Sequence, residues 1–282
     1  MMPKYDIPET TILFDAYCYG LGGYREASAG GAIETCFNAL VHAWSEPHRV
    51  YHSFTHHLVP LVSQITDAGL EGAFENELNF RSTLVAAFYH DYIYRLDQPD
   101  AQNVIQSEQR WNDDARLIYG DGLRDTDTYS FVQAVASEIA TTDYANRENF
   151  NRGSDEWLRE DVSLIDFDLG NLCAHPSTYM LHRDKIRREW VHVSDTDFNR
   201  GRMAFLKLFL ALPRLYHPSM DGSETKARAN MGSELARLLV EEDSQPAKPC
   251  CSNPSHFTTD GDAMPCGHRF NTDGDIVPDR VR

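Results

Sequence analysis

The chain is poor in several things that would narrow its class. Six cysteines in 282 residues are too few for a disulfide scaffold, and none forms the C-x-x-C pair from which zinc modules are built. Positive charge is scarce: 26 Lys and Arg stand against 43 Asp and Glu, a formal net charge of −17. No long-range field therefore draws the protein to nucleic acid or an anionic membrane, although a local basic pocket for a phosphate stays allowed. Long apolar runs are missing too. The longest, around Met203 to Pro213, contains Lys207 and is too short to span a bilayer. Met1 to Asp6 show no apolar signal-peptide core. These absences predict a cytoplasmic chain with reduced thiols and with neither a membrane nor a nucleic acid as partner. Cys18, Cys36 and Cys173, scattered singly, are expected in or near the core.

Strand alternation is rare, and helical periodicity takes its place. Ile33, Cys36, Phe37, Leu40, Val41 and Trp44 recur at three and four residues, an apolar face that Pro47 brings to an end. Leu84, Val85, Ala87, Phe88 and Tyr92 predict a buried helix with Ser82 as its N-cap. Further stripes run through Phe131–Ile139, Trp157–Val162, Ile186–Val191, Phe198–Leu210 (capped by Asp195 or Asp197) and Ala227–Leu239. The pattern predicts an all-α helical bundle of eight or more helices over residues 31–242, behind an N-terminal extension of residues 1–30. From residue 243 to 282 Pro, Ser, Gly, Asp and Thr dominate. Such a tail buries too little apolar surface to offset the entropy of ordering and is expected to be disordered. It holds Cys250, Cys251, His256, Cys266 and His268, zinc-ligand types at spacings that fit no zinc finger.

Three constellations carry chemistry. His48, His52, His56 and His57 cluster, and in a helix His52 and His56 would share one face a turn apart. His90-Asp91 closes an apolar segment, where two buried polar groups need partners that a divalent cation could provide. Asp166 and Asp168 alternate with Leu164, Ile165, Phe167 and Leu169. Each has an ordinary structural reading: surface histidines, a His-Asp pair at a helix C-terminus, and helix caps.

Taken in order, these residues resemble the H…HD…D signature of the HD-domain superfamily of metal-dependent phosphohydrolases. The likeness extends through Glu46–His52, Phe88–Asp91, Ile165–Leu169, Ile186–Trp190, Gly201-Arg202 and Leu210–Tyr216. It implies an HD-domain-like bundle in which His56, His90, Asp91 and Asp168 bind one divalent metal ion, with Asp166 or Asp143 as alternative ligands. By the same likeness His52, in Y-H-x-x-x-H, is the general acid, and Asp91 serves both metal and catalysis. Arg49, Arg187 or Arg188, and Arg202 are candidates for binding phosphate, because guanidinium pairs with it bidentately. Two-metal members of that superfamily carry further His ligands in the region matching Ile139–Tyr144, which here contains no histidine, so the resemblance implies one metal rather than two.

Two His and two Asp would leave a metal such as Mn, Co, Ni, Zn, Fe or Mg open positions for water and a phosphate oxygen. The implied function is hydrolysis of a small phosphate ester or nucleotide. The alternatives are an iron oxygenase or lyase on the same fold, or a non-catalytic metal or nucleotide binder. A chain at −17 that handles a phosphate ester is also expected to build local positive charge at its site. Pro60, four residues after His56, would remove a helical hydrogen bond to the His56 carbonyl, so the helix either starts near Val59 or kinks there.

Overall fold

The computed structural model describes residues 8–22, 30–144, 162–243 and two short strand segments, 269–270 and 276–277. Among the described residues there are ten α-helices: α1 Pro8–Gly20, α2 Gly30–Trp44, α3 Val59–Leu70, α4 Glu77–Tyr89, α5 Asp100–Tyr119, α6 Thr126–Ala140, α7 Leu164–Asp168, α8 Pro176–Glu189, α9 Asp195–Ala211 and α10 Asp221–Asp243. The fold is all-α. No described helix is long and apolar enough to cross a membrane.

The centre is α4, buried at every position from Ser82 to Tyr89. A helix apolar all round must be covered on all sides, and α1, α3, α5, α6 and α7 all pack against it. Ser82 is therefore interior. The cap is Asn76, whose side chain accepts the Asn79 amide at 2.9 Å, because the helix starts five residues before its apolar stretch. Likewise α9 is capped by Ser194, whose hydroxyl accepts from the Asp197 amide at 3.2 Å.

The N-terminal segment is more than an extension. Leu13, Tyr17, Cys18 and Leu21 join the core, and the Tyr17 and Tyr89 hydroxyls share a buried hydrogen bond of 2.8 Å. Gly20 allows the close crossing: a Cβ there would meet Val85 Cγ2 at 2.7 Å. α5 adds Val104, Trp111, Ala115 and Ile118 to the core from an otherwise polar helix.

The chain divides into two compact units at Leu235/Ala236. The first holds all elements described so far up to the body of α10. The second holds the end of α10 and one antiparallel pair of two-residue strands, Arg269↔Val277 and Phe270↔Ile276. The rest of the tail, including Cys250, Cys251, His256, Cys266 and His268, lies outside the described residues, as do Trp157 and Leu158.

Candidate metal centre

Three chain segments meet at one wall of a cavity. The first follows α2. Ser53 is extended, and residues Phe54–Leu58 form a π-helical turn in which the Val59 amide reaches back to the Phe54 carbonyl. Pro60 then sits in the first turn of α3, where its missing N–H costs nothing. The wide turn changes the register of the histidines. His52 lies before any helix, His56 points outward and is exposed, and His57 is buried.

The second segment is the C-terminus of α4. His90 caps it and is 1% exposed. Its Nδ1 lies 3.0 Å from the Ala87 carbonyl. A carbonyl can only accept, so Nδ1 carries the proton and Nε2 presents a lone pair. The third segment is α7, a single turn held by a reciprocal capping box between Ser163 and Asp166. Asp168 closes that turn.

His57 Nε2, His90 Nε2 and a carboxylate oxygen of Asp168 lie within 4.8 Å of one another. Asp168 Oδ1 is 2.9 Å from His57 Nε2 and 3.6 Å from His90 Nε2. Yet both imidazole nitrogens are shut off from solvent without a hydrogen-bond partner: the short approach to Asp168 lacks the direction of a hydrogen bond. Buried polar atoms are rarely left so. Two imidazole nitrogens and a carboxylate converging on a common point form a donor set suited to a divalent cation, and the group could hold one.

The surroundings fix this set. The Trp44 indole stacks on His57, centroids 5.9 Å apart, and tilts against His90 at 5.4 Å, while its Nε1 donates to the Phe88 carbonyl at 2.8 Å. The Tyr144 hydroxyl donates to Asp168 Oδ2, which leaves Oδ1 facing the histidines. Burial alone would raise the Asp168 pKa, but His90, His57 and Tyr144 outweigh it and hold the carboxyl well below the usual carboxylate range.

Beside this group His52 lines the same cavity. Glu189, at the end of α8 and 3% exposed, organises the loop that carries it. Glu189 Oε1 accepts the amides of Val50, Tyr51 and His52, each at 2.8 Å. Oε2 accepts from Tyr94 Oη at 3.0 Å and lies 2.8 Å from His52 Nδ1. Burial would lower the His52 pKa, but the Glu189 carboxylate raises it to about 9. Burial would raise Glu189 itself, and His52 with the backbone donors draws it down to about 2.

The cavity measures about 330 Å³, and of the expected residues His52, His90, Asp91, Asp168 and Arg202 line it. Asp91 Oδ2 is 3.6 Å from His90 Nε2. His56 is a correction: its neighbour His57 takes the place beside His90, because the π turn rotates His56 outward. Arg49 is a second correction. It is buried and donates to the Asp91 and Tyr92 carbonyls at 2.8 and 2.9 Å and to Glu46, binding the chain after α4 to the loop after α2. Arg187 is a third, engaged with Asp195 and with the Trp190 and Val193 carbonyls. Arg202 reaches the cavity wall but pairs with Glu234 at 3.0 Å. Asp166 is absorbed as a cap, its Oδ2 on the Ser163 amide and its Oδ1 on the His217 amide. Asp143 does not line the cavity.

Sequence reasoning missed His57, Glu189, Tyr144 and Arg95. Arg95 lines the cavity with no carboxylate within 4.0 Å among the described residues. His57 had a signal as a member of the histidine cluster, and Glu189 lay within the Ile186–Trp190 stretch of the likeness without being given a role. The charge of the cavity is mixed: Arg95, Arg202 and three histidines face Asp91, Asp100 and Asp168. Comparison with models of protein families, with curated proteins and with solved structures finds no match to this chain.

Proposed function

We propose that this protein is a metal-dependent phosphohydrolase acting on a small phosphorylated substrate. The observation that carries the reading is the convergence of His57 Nε2, His90 Nε2 and Asp168 on one cavity wall, with both nitrogens buried, without a hydrogen bond and facing the Asp168 carboxylate. It agrees with the resemblance of the H…HD…D residues to the HD-domain superfamily, with His57 replacing His56.

In this reading His57, His90 and Asp168 hold one divalent cation, and Asp91, next to His90, supplies the second carboxylate. When bound, such an ion neutralises phosphoryl charge and makes water nucleophilic near neutral pH. The protein's own groups do the rest. Tyr144 fixes which Asp168 oxygen faces the histidines. Glu189 occupies His52 Nδ1, leaving Nε2 as the ring nitrogen free to hand a proton to a leaving oxygen. Arg95 at the cavity wall meets phosphate oxygens.

The test is a panel of phosphate monoesters and diesters offered with Mn, Co, Ni and Mg to protein purified without chelator. Asp168→Asn should abolish both metal retention and turnover. His52→Ala should lower kcat by about a hundredfold or more with metal content unchanged. Metal-loaded protein that turns over none of the panel sinks the reading; oxygen uptake by an iron-loaded form would point to the oxygenase.

A further inference from the structure

The arginines of this chain mostly face carboxylates: Arg110 meets Asp114, Arg124 meets Asp121, Arg200 meets Asp197 and Arg228 meets Glu224. In a chain at −17 that is the expected outcome. The outer edge of α8 is different. His182, Lys185 and Arg188 follow one another at three-residue steps, a spacing that keeps them on one side of a helix. Among the described residues neither Lys185 nor Arg188 has a carboxylate within 4.0 Å. The nearby Asp184 turns its carboxylate to Arg183, 3.2 Å away, and Arg188 reaches only the Asp184 carbonyl, at 3.5 Å.

A fourth group comes from another element. Burial, and then the charges of Lys185 and Arg188, hold the exposed His56 imidazole below its ordinary pKa, as burial and Lys185 do for His182. The positive charge of the patch therefore rests on Lys185 and Arg188, and the two rings offer polar nitrogens beside them. The patch adjoins the metal centre without entering its cavity. The His182 ring is 5.3 Å from that of Tyr51, and Tyr51 in turn is 5.1 Å from His57. None of His56, His182, Lys185 and Arg188 lines the cavity.

We propose that His56, His182, Lys185 and Arg188 form a second anion site, outside the metal centre, that binds a small soluble molecule carrying two or more phosphate groups. Like charges at this spacing repel, so the fold maintains an arrangement that an anion would relieve. Guanidinium and ammonium together match phosphate oxygens, the first bidentately and the second as a point charge. Crowding is already felt within the patch: burial, and then the charge of Arg188, hold the Lys185 ammonium below its ordinary value.

The test uses the full chain treated with chelator, titrated calorimetrically with sodium tripolyphosphate at low salt. The double change Lys185→Gln/Arg188→Gln should weaken binding by about tenfold or more. Lys207→Gln and Asp168→Asn should leave it within about twofold. Thermal melts report whether each variant is folded, and Arg188→Gln alone, at an exposed position, is the fallback with a smaller loss. Equal binding by wild type and the folded double variant overturns the proposal. So does binding strengthened beyond about twofold in Asp168→Asn, since removing that carboxylate from the metal-free cavity favours an anion held there and would put the site at the metal centre. Binding to vesicles of phosphatidylcholine with phosphatidylglycerol but not to tripolyphosphate overturns it as well. Because metal is absent throughout, failure of the phosphohydrolase reading leaves this result standing, and the reverse.

Discussion

Two polar clusters meet the same cavity and have opposite characters. In one, Glu234 takes Arg202 through both oxygens, at 3.1 and 3.0 Å, and a further bond from the Tyr179 hydroxyl, with the Arg183 guanidinium 3.5 Å away. Both oxygens of Glu234 are engaged, and α8, α9 and α10 are joined by the result, although Arg183 Nε makes no hydrogen bond of its own. In the other, His57, His90 and Asp168 come just as close, yet the two ring nitrogens are buried without a hydrogen bond and face only carboxylate oxygens. In the first cluster a carboxylate is taken up by donors of the chain itself; in the second, two imidazole nitrogens and a carboxylate converge and could hold a metal ion.

The sharpest way to break the comparison is Glu234→Ala. It strands the Arg202 guanidinium, whose side chain is 11% exposed, and an unpaired buried charge costs about 3–5 kcal/mol. Chemical denaturation should show that loss, while metal content of the folded protein stays unchanged. If metal is lost along with stability, the clusters are one unit.

A smaller effect is expected within the second cluster. His57→Ala should weaken divalent-cation binding by more than about a hundredfold, beyond what removal of an outer-shell partner costs. His56→Ala, at an exposed position, should change it little. Titration with Mn or Co reads both, and the reverse order would restore His56 as the ligand.

The smallest effect is in acid. Burial would raise the Glu234 pKa, but Arg202 and Tyr179 outweigh it and hold it below the ordinary value. For a depressed carboxylate the stabilisation is fully present above the unfolded value of about 4.3 and fades as pH falls through the lower folded value. Melting temperatures from pH 7 to pH 3 should therefore drop less steeply for Glu234→Gln than for wild type. Equal slopes would mean that Glu234 contributes nothing to the acid limb.

Much of this was legible beforehand, for reasons tied to particular residues. His90-Asp91 could be read because an apolar helix ending in two polar groups demands partners whatever surrounds it. Asp168 stood beside Asp166 with nothing in composition to separate them. The separation came from Ser163, which engages Asp166 in a capping box and leaves the next carboxylate to turn inward. His56 and His57 are adjacent and chemically identical, and the π turn ahead of Pro60 chose between them. The helix α5 is strongly amphipathic but polar overall, and its apolar stripe of Val104, Trp111, Ala115 and Ile118 is thin among charged and amide residues. Glu189 stood inside the Ile186–Trp190 run, but its pairing with His52, 137 residues away, lies beyond any local pattern.

The sequence by itself determined the helical class and the types of donor at the site, because these depend on periodicity, composition and side-chain chemistry, all local properties. The tertiary structure decided which histidine turns inward, which carboxylate is a cap, which arginines are bound into the scaffold and which charges on α8 stand unopposed. Those outcomes depend on register and on what lies across the interface, and a rotation of one residue on a turn is enough to exchange a buried histidine for its exposed neighbour.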